Sequence, residues 1–140
     1  MSNPTTAQVE EAQGSPFAVA IEVSGHHLFG DEPVDAGGRN LGPSPYDLLT
    51  AALGECTAMT VRWYARHQDW PVDHVSCTVR HERKMVEGHD RKIDVFHKTV
   101  TVRGDSLTDE QRQKLVEVAA RCPVQKTLSG PVQIDTEAGI

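Results

Sequence analysis

Apolar residues alternate at Phe17, Val19, Ile21 and Val23 with smaller or polar residues between them, the period-two signature of a strand that buries one face. Ser24-Gly25 then supplies a turn, and His27-Leu28-Phe29 reads as the return strand of a hairpin. A helical period takes over after Pro45. Leu49, Ala52, Cys56, Met59 and Trp63 recur at spacings of three and four, and Leu48, Ala51, Leu53 and Val61 make the neighbouring stripe apolar too. This predicts a central helix from Pro45 to about His67, packed on more than one side, with Ser44 as its N-cap, Asp47 near its positive end and Cys56 mostly buried.

Asp69-Trp70-Pro71 ends that helix, and period two returns with Val75, Cys77 and Val79 on one strand face. In the next strand Ile93 and Val95 keep one phase and Val100 and Val102 the other, which predicts a bulge or bend near Phe96. Thr108 and Gln111 match a capping box that opens a second helix, with Leu115, Val118 and Cys122 on one face. Pro123 disfavours helical backbone at Cys122 and leaves that thiol at the helix end. Val132 and Ile134 suggest a closing strand. The segment DAGGRNLGPSP, residues 35–45, is a loop by its glycine and proline content. The predicted order is ββ, α, ββ, α, β, an α+β chain with two helices and a mostly antiparallel sheet. It forms one domain at 16–140 behind a flexible polar N-terminal tail at 1–15.

Composition narrows the function. At 140 residues with 38% hydrophobic and 24% charged positions, the chain suits one globular core. A net charge of -6 argues against nucleic-acid partners, whose affinity depends on lysine and arginine displacing counterions. The longest apolar run, Leu48 to Val61, contains Glu55 and is too short for a membrane span. With no basic start or apolar export segment, the expected location is the cytoplasm. There, Cys56, Cys77 and Cys122 favour thiol chemistry over lasting disulfides. Cys77, aligned with two valines, reads as a core residue. His81, His89 and His97 are eight residues apart, unlike the close pairs of metal sites, so neither metal nor cofactor is expected.

Two segments then acquire a shared meaning: GPSPYDLLTAALGECTAMTVRWYA, from Gly42 to Ala65, and the distant CPVQKTL, from Cys122 to Leu128. Together they resemble the OsmC/Ohr (OsmC-like) superfamily of peroxide-reducing thiol proteins, over roughly Ser24 to Thr136. The resemblance implies an intertwined α+β homodimer with sheets wrapped around central helices and active sites at the dimer interface. It also implies that Cys56 attacks the peroxide bond, becomes a sulfenic acid and is captured by Cys122 as a disulfide. The substrate would be a small apolar hydroperoxide and the electron donor an external dithiol or lipoyl-type reductant. The family's peroxidases use an arginine in the early hairpin and a glutamate ten residues before the reactive cysteine. Here His26 and His27 occupy the hairpin and Tyr46 the glutamate position, while Gln125 replaces a frequent histidine. Arg39 from the loop is the candidate cation for Cys56, with Asp47 and Glu55 as candidate partners for it. The alternative reading is a non-catalytic protein of the same fold that binds a small apolar ligand or senses oxidation.

Overall fold

In the computed structural model, which describes residues 4–139, three short strands open the chain: β1 (Ala7–Glu11), β2 (Val19–Val23) and β3 (His26–Gly30). They form an antiparallel sheet in the order β1-β2-β3. Ser24 and Gly25 both take left-handed backbone, φ 51° and 81°, which matches a two-residue turn to the twist of the strands it joins. Strand β1 lies where a flexible tail is expected. Ala7 sits opposite Val23 and Val9 opposite Ile21, two apolar pairs that dock the segment on an edge that β2 leaves open.

The chain divides into two compact units, residues 1–49 and 50–140. The first holds the sheet, a 3-10 turn at Val34–Ala36 and the loop to the long helix. Asp31 organises that loop. Its buried carboxylate accepts hydrogen bonds from Ser15 Oγ and from the backbone amides of Glu32, Arg39 and Leu41, at 2.8–3.2 Å. Burial pushes the carboxyl up, but those four donors outweigh it and hold the group below its ordinary value.

Helix α1 (Pro45–His67) has the predicted bounds. Ser44 caps it reciprocally with Asp47, the Ser44 Oγ accepting from the Asp47 amide at 3.2 Å and the Asp47 carboxylate from the Ser44 amide at 2.9 Å. Its far end closes when Asp69 turns left-handed, φ 56°, while the Trp70 amide reaches the Ala65 carbonyl and the Asp69 amide that of Arg66.

In the second unit, β4 (His74–Lys84) pairs antiparallel with β5 (Ile93–Arg103) in one unbroken register from His74 opposite Arg103 to Lys84 opposite Ile93. No bulge interrupts it at Phe96. Ile93 and Val95 simply lie on the other face, beside Lys84 and Glu82, while Val100 and Val102 share a face with Cys77 and Val75. Helix α2 (Asp109–Ala119) starts with the predicted Thr108–Gln111 capping box. The Arg112 guanidinium ties it to the end of β5 through the carbonyls of Val102 (2.6 Å) and Gly104 (3.0 Å). The core of this unit gathers Val61 and Ala65 from α1, Val102 from β5, and Leu115 and Ala119 from α2, with Val72 and Leu107 beside them. A third helix, α3 (Pro123–Ser129), follows where the sequence predicted no element, and the closing strand expected at Val132 and Ile134 is not formed. Proline is as suited to the first helical position as to ending a helix, and here it starts one. Residues 131–139 form no strand, and Ile134 is 83% exposed, without partner or core to favour extension.

Candidate active site

The buried edge of α1 in this unit is Leu53, Thr57, Val61 and Ala65, one residue every four positions. Gly54 lets this edge approach β4 closely, since a Cβ there would come within 3.2 Å of Val79 Cγ2. With Thr57 turned fully inward, Cys56 falls on the flank of the helix and is half-buried, more accessible than its place in the apolar stripe predicts. The stripe Ala52, Cys56, Met59 and Trp63 lines an open groove of about 590 Å³, completed by Pro123 and Val124 of α3. Its walls are apolar apart from Glu55, Thr60 and Arg121. Met59 and Trp63 remain 63% and 59% exposed, so the stripe read as core from sequence is groove wall.

Cys122 lies between α2 and α3, as Pro123 predicts. Its backbone is extended (φ -68°, ψ 148°), it caps α3, and its side chain is fully buried. The turn it occupies brings the Val124 amide to 3.4 Å from Cys56 Sγ, aimed to donate to that sulfur. That amide belongs to the residue two positions after Cys122, so the Cys56 sulfur sits beside the Cys122 thiol, near enough to help lower its pKa. The two cysteines singled out by the sequence therefore meet, although 66 positions apart in the chain.

Beneath them lies a polar cluster that sequence reasoning missed. The Thr57 hydroxyl donates to the Leu53 carbonyl at 2.7 Å, accepts from Lys98 Nζ at 2.9 Å and lies 3.4 Å from Cys122 Sγ. Lys98 also donates to the Ala119 carbonyl at 2.7 Å. Burial pushes the Cys122 thiol up, but the Thr57 hydroxyl, the Gln125 amide, the Cys56 thiol and the Lys98 ammonium together bring it below its ordinary value. Cys77 goes the other way. Its burial, with the adjacent Cys122, outweighs Lys98 and the Thr57 hydroxyl, so its thiol is held protonated more firmly than usual. Both signals were present in the sequence. Thr57 is the single polar residue in the buried edge of α1, and Lys98 stands in the same strand phase as Val100 and Val102.

The other candidates have local roles. In the first unit, Arg39 Nη1 donates to the Gly14 carbonyl at 2.9 Å, and Asp47 is occupied by the helix cap. Glu55 is exposed and borders the groove next to Cys56. The cation that borders the same groove is Arg121, whose Nε is 3.4 Å from the Glu117 carbonyl. Gln125 carries the one buried side-chain oxygen without a hydrogen-bond partner among the described residues. Among those residues no cluster of histidine, cysteine or acidic side chains is arranged to hold a metal.

Known structures share this fold. An osmotic-stress-induced and detoxification response protein of Psychrobacter arcticus is 24% identical, with 91% of this chain and 90% of that one covered at a TM-score of 0.71. An organic hydroperoxide resistance protein OsmC of Legionella pneumophila is 19% identical over 91% and 90%, at 0.69. An organic hydroperoxide resistance protein of Elizabethkingia anophelis, with thiocyanate bound, is 16% identical over 93% and 91%, at 0.70. No curated protein matches the sequence. The model of the OsmC-like protein family matches residues 37–137, which include the α1 cysteine, the Lys98 strand and the Cys122 turn, and the chain belongs to that family.

Proposed function

We propose that the chain is a two-cysteine peroxidase that reduces small apolar hydroperoxides. The observation that carries this reading is the Cys56 thiol on the wall of an apolar groove, held by the Val124 amide beside the buried thiol of Cys122. The Cys56 thiolate attacks the outer peroxide oxygen, the O–O bond breaks, and the alcohol leaves after taking a proton, with Cys56 now a sulfenic acid. The Val124 amide donates to the sulfur and steadies its negative charge before attack. Cys122 then displaces the hydroxyl, which leaves as water, and forms the Cys56–Cys122 disulfide; an external dithiol, lipoyl-type in chemistry, restores both thiols. Two of the structural neighbours are organic hydroperoxide resistance proteins, and the apolar groove suits an alkyl or aryl substituent. The working unit in this proposal is a homodimer, in which a second copy covers the exposed Met59 and Trp63.

Stopped-flow mixing of reduced protein with cumene hydroperoxide and with hydrogen peroxide tests the reading. Cys56→Ser should abolish the first turnover. Cys122→Ser should keep it and stall as a sulfenic acid that dimedone traps, while Cys77→Ser should leave the chemistry unchanged. Should wild type react no faster than free cysteine, the peroxidase reading fails, and a protein that binds a small apolar ligand or senses oxidation becomes the better account.

A further inference from the structure

The Thr57 hydroxyl has one proton, and at 2.7 Å it is given to the Leu53 carbonyl. Its oxygen already accepts from Lys98, so a protonated Cys122 at 3.4 Å can only donate to it. Once Cys122 ionises, the same hydroxyl can rotate and donate to the thiolate, because the Leu53 carbonyl is also an acceptor in the α1 backbone ladder. Lys98 remains beneath as a fixed positive charge, tied at 2.9 Å and 2.7 Å to acceptors on α1 and α2. Its register position on β5, opposite Val79, keeps the ammonium on the inner face of the hairpin.

We infer that Lys98 is a positioning residue for the resolving half of the cycle: its ammonium, docked on the Thr57 hydroxyl and the Ala119 carbonyl, holds Cys122 as the thiolate that attacks the Cys56 sulfenic acid. This rests on the peroxidase reading. In the step concerned, the Cys122 thiolate forms the S–S bond as the Cys56 S–O bond breaks; the departing hydroxide takes a proton from solvent and leaves as water. The Cys122 sulfur is oxidised and the sulfenic sulfur reduced, with no other reagent. The titratable groups that face Cys122 are Cys56 from α1, Cys77 from β4 and Lys98 from β5. Cys77 shares the lysine and the hydroxyl but lacks the Gln125 amide and the Cys56 thiol as donors, and it stays protonated. The positive charge therefore acts on the second step of the cycle, one thiol removed from the peroxide.

Stopped-flow kinetics with one equivalent of cumene hydroperoxide separates the phases, thiol loss first and disulfide closure second. Lys98→Met should slow closure about tenfold at pH 7, with the defect shrinking as the pH rises, and change thiol loss by less than about threefold. Lys98→Arg should restore most of the closure rate. Titration of the Cys122 13Cβ resonance in protein labelled with [13Cβ]cysteine, with no peroxide present, should show ionisation moved to higher pH in Lys98→Met and recovered in Lys98→Arg. That readout stands even if wild type consumes no peroxide, so failure of the peroxidase reading and failure of this one are distinguishable. An unchanged Cys122 titration in Lys98→Met, or equal slowing of both phases, would overturn the inference.

Discussion

Thr57→Val exchanges one fully buried hydroxyl for a methyl of nearly the same shape, so its cost can be worked from the partners left behind. The Leu53 carbonyl keeps a role in the α1 backbone ladder, and Cys122 keeps the Gln125 amide. Lys98 keeps the Ala119 carbonyl at 2.7 Å but loses its second acceptor, a hydrogen bond to a charged donor. Such bonds contribute about 1.5–3 kcal/mol, and the extra buried methyl returns a little under about 1 kcal/mol, so a net loss of about 1–2 kcal/mol is expected. For a chain of this size that is a Tm lower by about 5 °C. Urea unfolding followed by tryptophan fluorescence measures it, with Thr57→Ser, which keeps the hydroxyl, as the control near wild type. The decisive number is the coupling. If Thr57 acts on stability through Lys98, the double variant with Lys98→Met should lose about 0.5–1.5 kcal/mol less than the two single losses combined. Additivity within about 0.3 kcal/mol would refute the reasoning, because the two side chains would then stabilise the fold independently.

Three further outcomes are expected. Asp31→Asn should lower stability at neutral pH and flatten its dependence on acid, because a carboxyl held low in the folded state stabilises above its unfolded range and loses that contribution as the pH falls below about 4; urea midpoints between pH 7 and pH 3 measure this, and parallel curves would contradict it. Wild type should sediment as a dimer and Trp63→Glu should shift toward the 15.4 kDa protomer, whereas a wild-type monomer at micromolar concentration would remove the proposed role of the groove stripe as an interface. Oxidised protein trapped with a small monothiol should carry the adduct on Cys56, and a peptide map that finds it on Cys122 would reverse the proposed order of attack.

The sequence carried the elements whose causes are local. The bounds of α1 follow from Ser44, Pro45 and the Asp69-Trp70-Pro71 stop, and the start of α2 from Thr108 and Gln111. The pairing of Cys56 with Cys122 came from a family resemblance, not from spacing. What sequence missed depends on which side of an element faces which neighbour. α1 has two apolar stripes, and only packing decides that Leu53, Thr57, Val61 and Ala65 turn inward while Met59 and Trp63 line a groove. Lys98 reads as an exposed charge until the register of β5 sets it among Val100 and Val102, and the middle of α1 and the end of α2 supply acceptors. The phase change within β5 was legible, but a bulge and a two-faced regular strand produce the same pattern, and the unbroken ladder decides for the second. Val132 and Ile134 alternate as a strand would, yet two residues without a partner edge bury too little to hold one.

The different exposure of the two thiols imposes an order on the proposed chemistry. A hydroperoxide in the groove meets Cys56, which is half-buried, and not Cys122, which is sealed beneath it. The same geometry governs recycling, because a dithiol that arrives through the groove meets the Cys56 sulfur of the disulfide first. Attack there expels Cys122 as the leaving thiolate. Thiol–disulfide exchange runs faster as the leaving thiol becomes more acidic, and the Thr57 hydroxyl and Lys98 ammonium stabilise that departing anion. The acidity that makes Cys122 an effective resolver in the forward half thus makes it a good leaving group in the return half. The attacking thiol has to meet solvent and substrate, and the resolving thiol can remain buried throughout, shielded from the oxidant that would carry it past sulfenic acid. A half-buried lysine beside the resolver, with an open groove beside the attacker, divides the two tasks between two neighbouring environments.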